Sequence, residues 1–292
     1  MEYTIENQYL KVTVITFGAQ LKSVLRKSDN VEHMWQADPA VWGYHAPILF
    51  PNAGRVLGNQ FEAKGKLYTT AQHGFARLME HKLVYQNETE VALELTSSPE
   101  TLEKWPYEFR LVSTFTLEGD TLHHTLTVEN RDGEKMPFGI GYHPAFAVPF
   151  DEKHDASTDY ELRFDKVESP ICLRTPGGLV SGEGYYLGRN ITAIGLDDHL
   201  FDNDSHCMTG LQSTRFGLYE KDTGRAVVCH IERFPYTLIW SKPGKPHFVC
   251  IEPWNSLPSP ASGSQKWEDK PAAAILDPGE SWSTCLSMSF VR

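Results

Sequence analysis

Side chains that switch between apolar and polar at every second residue bury one face of an extended strand, and this chain does so repeatedly. In 109–117 one face carries Phe109, Leu111, Phe115 and Leu117, and in 121–129 one face carries Leu122, His124, Leu126 and Val128. Near the C-terminus Trp282, Thr284, Leu286, Met288 and Phe290 alternate with Ser283, Cys285, Ser287 and Ser289. Turns such as LEGD at 117–120 separate the runs, which predicts antiparallel strands with one buried face. Helical periodicity is scarce. Its best candidate is SSPETLEKW at 97–105, where Ser97 or Ser98 caps a turn opened by Pro99. No long alternation of strands with helices is present, which disfavours a Rossmann or TIM-type sheet. The predicted fold class is all-β: a large sandwich of many antiparallel strands with few short helices, its concave face or rim free for a ligand.

A chain of 292 residues is long enough to bury a substantial core, and all-β folds of this size form single domains, so one domain over 1–292 is expected. There is no internal repeat of fixed period and no low-complexity tract. The start, MEYTIENQYLKVTVITFGA, lacks a positive segment ahead of an apolar run, and no later run approaches the ~18 apolar residues of a bilayer crossing. A net charge of −11, with 27 scattered basic residues, argues against a nucleic-acid surface but leaves room for one small phosphorylated ligand. Cys172, Cys207, Cys229, Cys250 and Cys285 form neither a CxxC nor a zinc-ligand spacing, so they read as reduced thiols filling apolar space. The expectation is a cytoplasmic protein with no metal, no membrane and no nucleic-acid partner, monomeric or homodimeric.

Three titratable residues stand in unusual local sequence. In GYHPAF (141–146), Pro144 pushes its predecessor into extended geometry, so the imidazole of His143 is aimed in one direction. In QHGFAR, Gly74 lets the backbone beside His73 turn left-handed or approach another chain segment closely. Glu252 ends the apolar run HFVCIE, and a carboxylate so placed is expected to lose solvent, gain proton affinity and become a better base near neutral pH. Each also has an ordinary reading, as a satisfied core histidine or a turn-capping carboxylate. His123 and His124 are assigned no role. Asn52 and Arg55 close the stretch ILFPNAGR (48–55), and Arg55 either holds a sugar hydroxyl or a carboxylate through its fork of donors or is a surface arginine. PWNSLPSPASG (253–263) is expected to be a long loop anchored by Trp254, one of several rings suited to the apolar face of a sugar.

NAGR at 52–55, HG at 73–74, GYHPAF at 141–146 and IEPWNS at 251–256, in that order, resemble the aldose 1-epimerase (galactose mutarotase) family, and within it the LacX-like branch. The likeness runs from FGAQLKSV (17–24) to the terminal strand. It implies a galactose-mutarotase-like β-supersandwich, a reaction without cofactor and a small-molecule aldose as substrate. Carried over by residue, it makes Glu252 the base that deprotonates the anomeric hydroxyl and His143 the acid that protonates the ring oxygen, on opposite sides of a bound pyranose. His73 and Arg55 bind and polarise the sugar near that oxygen. In LFDND (200–204) the hydroxyl-binding aspartate is Asp204, with Asp202 the second candidate. HGFAR departs from the family by placing Phe75 and Arg77 where a second glycine is usual, which opens the site to other aldoses or, through Arg55 and Arg77, to a sugar phosphate as in hexose-6-phosphate mutarotases. A non-catalytic sugar-binding protein would need neither the base nor the acid. A glycoside-processing enzyme would need two carboxylates flanking the bond, and only Glu252 has a suitable setting.

Overall fold

A computed structural model describes residues 1–151 and 153–292. The alternating runs form the centre of a nine-stranded antiparallel sheet, where Phe109–Glu118 pairs with Thr121–Asn130, Leu117 facing Leu122 across the LEGD turn. Ser281–Val291 adds on the other side of Thr121–Asn130. Their inward residues, among them Phe109, Leu111, Leu126 and Leu286, lose essentially all solvent contact. Each such large apolar side chain contributes about 1.5–3 kcal/mol on burial. The one α-helix among the described residues is Pro99–Lys104, and Ser98 caps it: the Thr101 amide donates to Ser98 Oγ at 3.3 Å, while the Ser98 amide donates to Thr101 Oγ1 at 2.8 Å.

An eight-stranded antiparallel sheet packs against the first through one apolar cluster. Its Phe248–Trp254 strand is buried on both faces. Val249 and Ile251 point into the cluster between the sheets, while Phe248, Cys250 and Trp254 join separate groups on the outer face with Ala145, Leu238 and Trp240. The strand therefore continues through Pro253 and Trp254, which corrects the expected loop boundary: irregular chain begins at residue 255. Tyr236–Trp240 pairs without interruption with residues 250–254 on one side and draws Pro253 into register opposite Thr237. On the other side the pairing is interrupted, with Gly141–Tyr142 and Ala145–Ala147 contributing two short pieces on either side of His143 and Pro144. Pro144 has no N–H to donate, and the ladder breaks where it stands. Among the described residues no helix is long and apolar enough to cross a membrane.

Candidate active site

The broken ladder sets the geometry of the site. Gly141 pairs with Trp254 and Ala145 with Cys250, so both pieces hold one register and His143 falls opposite Glu252. Cross-strand neighbours project to the same face, and His143 Nε2 lies 3.2 Å from Glu252 Oε2. Both side chains are buried. Trp254, two residues along, projects to that face as well and crosses over Gly141, where a Cβ would sit 2.6 Å from the indole Cδ1. Only glycine leaves room for the ring, whose N–H donates to the Tyr142 carbonyl at 3.1 Å.

His73 reaches the same place from an irregular segment. Its φ is 67° and that of Gly74 is 67°, and a Cβ on Gly74 would lie 2.2 Å from the Phe50 carbonyl oxygen. The backbone thus turns left-handed and packs tightly against Phe50, and His73 itself stands in a conformation uncommon for a residue with a side chain. Two bonds tie it to the NAGR loop: the His73 amide donates to the Gly54 carbonyl at 3.0 Å, and the Gly54 amide donates to His73 Nδ1 at 3.1 Å. With Nδ1 accepting, the neutral ring carries its proton on Nε2. The ring stands edge-on to His143 and to Trp254, at centroid distances of 5.6 and 5.7 Å.

These side chains open onto a cavity of about 360 Å³, lined also by Asp204, Arg77, Gln72, Trp42 and Trp240. That is the small end of the ~300–1,000 Å³ span of ligand pockets. Asp204, at φ 76°, faces it, whereas Asp202 is on the surface, accepting from His199 Nδ1 at 2.9 Å. Arg55 is exposed and outside the lining; its Nε donates to Gln72 Oε1 at 3.1 Å. The arginine of the wall is Arg77, which lies over the Tyr44 ring at 5.0 Å and donates to the Gln72 carbonyl at 3.1 Å. Asn52 corrects the sequence-based assignment. Fully buried, it donates to the carbonyls of Gly54 and Ala71 and accepts from Thr70 Oγ1, so its amide is consumed in tying the two loops together. The expectation of acid and base on opposite sides of the ring is corrected too: His143 and Glu252 are neighbours on one wall. Trp42 is one of the rings that the sequence offers as a sugar platform, whereas Trp240 and Gln72 carry no signal there, because a ring at a strand end or an amide in an irregular segment has no periodic pattern.

Burial pushes Glu252 well above the usual carboxylate range; the Asp204 charge adds to this and a Trp254 hydrogen bond opposes it. Burial pushes His143 in the opposite direction, with Arg77 adding to the shift, and holds His73 well below the ordinary imidazole value, aided by His143, Arg77 and Arg55. His143, Cys250 and Glu252 offer three donor atoms within 4.8 Å of one another. The Cys250 thiol is driven well above its normal value by burial and then by Glu252, so it stays protonated and is a weak ligand. A second group, Asp151, His154 and Glu220, lies elsewhere and is already engaged with Arg225.

The aldose 1-epimerase family model matches residues 1–289. This chain belongs to the aldose 1-epimerase family. It is 33% identical to the chromosomal LacX protein of Lactococcus lactis subsp. lactis over 289 residues, 95% of each chain. The crystal structure of a galactose mutarotase related enzyme from Lactobacillus acidophilus superposes with a TM-score of 0.94 at 28% identity, covering 99% of this chain and 97% of that one. A galactose mutarotase-like protein from Lactobacillus casei gives 0.91 at 30% identity, with both chains covered in full. The fold is that of the galactose mutarotases, and family membership makes an isomerase the expected class of activity.

Proposed function

We propose that the protein is an aldose 1-epimerase, interconverting the α and β anomers of a hexose-type aldose by acid–base ring opening and closure. The observation that carries this reading is the His143–Glu252 pair, 3.2 Å apart on the wall of a sugar-sized cavity. Both oxygens that must exchange protons are bonded to C1, so an acid and a base standing side by side reach them together. Glu252 takes the proton of the anomeric hydroxyl while His143 protonates the ring oxygen; the C1–O5 bond breaks, an open-chain aldehyde forms, and rotation about C1–C2 presents the other face for the reverse steps. Ring opening converts carboxylate and imidazolium to carboxylic acid and neutral imidazole. Burial favours that uncharged pair, so the direction of both shifts eases the opening step.

His73 donates from Nε2 to a sugar oxygen, Asp204 accepts from hydroxyls, and the Trp254 ring offers an apolar platform. Each well-placed proton transfer is worth ~10²–10⁴ in rate. Purified protein should speed the polarimetric relaxation of at least one fresh α-aldose, and Glu252→Gln and His143→Asn should each abolish this while circular dichroism stays native. Full activity in either variant removes the role assigned to it. One observation favours a second reading, a 6-phosphorylated sugar: Arg77 lines the cavity and forms no ion pair among the described residues. Anomer-exchange NMR with free and 6-phosphorylated hexoses separates the two. Five free cysteines support a reducing, cytoplasmic setting.

A further inference from the structure

The imidazole of His143 is held by little besides Glu252. Its Nδ1 is buried and has no hydrogen-bond partner, so one bond through Nε2 leaves rotation about that contact to be restrained by packing. The restraint is Trp42, whose indole stacks on the ring at a centroid distance of 5.1 Å and an interplanar angle of 25°. Trp240 abuts the ring edge-on at 5.9 Å. Trp42 is itself anchored in several ways: its amide donates to the Asp38 carbonyl at 2.8 Å, its carbonyl accepts from Trp35 Nε1 at 2.8 Å, and Lys242 Nζ donates to the neighbouring Val41 carbonyl at 3.1 Å.

We propose that Trp42 is a positioning residue for the acid: its indole face holds the His143 ring toward Glu252 and stabilises the imidazolium that must be present before the sugar ring opens. The inference rests on the acid role given to His143 above. An aromatic face attracts a cation laid over it. The groups that bear on His143 make such help necessary. From the 70–80 segment, His73 and Arg77 face it, and neither favours a second positive charge. Glu252 and the protonated thiol of Cys250 face it from the Phe248–Trp254 strand, with Asp204 beyond Glu252. Trp42 is the one neighbour that both fixes the ring plane and opposes the cost of desolvating its charge.

The test compares Trp42→Leu, which keeps the ring dry but removes the quadrupole, with Trp42→Phe, which keeps a weaker one. The acid limb of the mutarotation pH profile should move to lower pH in the leucine variant, by about half a unit to one unit, and by less in the phenylalanine variant. On acidification of the free protein, the pH at which the ring ¹⁵N signals of His143 change from the neutral to the protonated form should fall in the same order. A uniform loss of rate with an unmoved acid limb, or a rise in KM alone, overturns the proposal and leaves Trp42 as packing or a sugar platform. The nitrogen signals decide the matter even if no aldose is turned over, so failure of the catalytic reading is distinguishable from failure of this one. If the leucine variant does not fold, the phenylalanine variant and its nitrogen signals still decide.

Discussion

His124 and His143 are both buried histidines, the first within a strand and the second in the break between two strand pieces, and burial drives both imidazoles down, to about 3 in each case. Tyr142 even joins their surroundings, its hydroxyl donating to the His124 carbonyl at 2.8 Å from the position preceding His143. Yet their partners differ in kind. His124 Nε2 lies 2.7 Å from Ser113 Oγ, and the ring stacks on Phe115 at 4.0 Å, inside the core between the sheets. His143 faces a carboxylate and a cavity. The lesson is that a depressed imidazole marks only burial. What marks a candidate site is a second titratable group displaced the opposite way, with space beside the pair for a ligand.

Two substitutions turn this contrast into its largest expected effect. His143→Asn should cost at least ~10²-fold in mutarotation rate with little change in stability, since it removes a proton donor and leaves the core intact. His124→Asn should do the reverse. It disturbs the Phe115 stack and the buried Ser113 hydroxyl, for which about 1–3 kcal/mol is expected in urea denaturation, with activity retained in the folded fraction. If both variants lose activity and stability in the same proportion, the division between a core histidine and a cavity histidine is wrong.

Much of this contrast was legible from sequence on one side only. The strand runs around His124 and the helix at 97–105 declared themselves through period-two alternation and through Ser98–Pro99, because one-sided burial and capping are local. The opposition of His143 and Glu252 is not local: it follows from a shared register on either side of Pro144, which no single segment encodes. Motif resemblance supplied the pair instead. Asn52 and Asp202 could not be sorted from their neighbours in advance, because a polar residue in a loop points equally well inward or outward. Only the bonds of Asn52 to Gly54, Ala71 and Thr70 show that its amide is already used.

A pH series sharpens the comparison at an intermediate scale, because the two groups should act with opposite sign. The folded His124 titrates at about 3 against an unfolded value near 6.5, so between these limits the unfolded chain binds the extra proton and stability falls as pH falls. Glu252 is raised above its unfolded value of about 4.3, so its contribution is complete below that pH and declines as pH rises toward the folded value. Either slope reaches about 1.4 kcal/mol per pH unit for one group. Glu252→Gln should therefore gain stability relative to the parent from pH 5 to 8, while the parent and variant converge below about pH 4. Parallel curves across that range would mean that the carboxyl is ionised in the folded protein and that the neutral pair is not its resting form.

The smallest effect concerns the two arginines, and it asks whether reaching the cavity or merely bracing its wall matters for substrate. Arg55 is exposed and donates to Gln72 Oε1 at 3.1 Å, an arrangement that solvent readily replaces. Arg77 lines the cavity, and its Nε is buried without a partner, so a sugar oxygen or phosphate would satisfy a donor that is now left over. Arg77→Ala should raise KM by roughly tenfold with kcat less affected, the size of one charge-assisted hydrogen bond, while Arg55→Ala should change KM by less than about threefold. Initial rates over a range of sugar concentration distinguish them. An equal rise for both would show that Gln72, which touches each arginine, transmits the loss of Arg55 into the cavity, and the bracing residues would then have to be counted with the site.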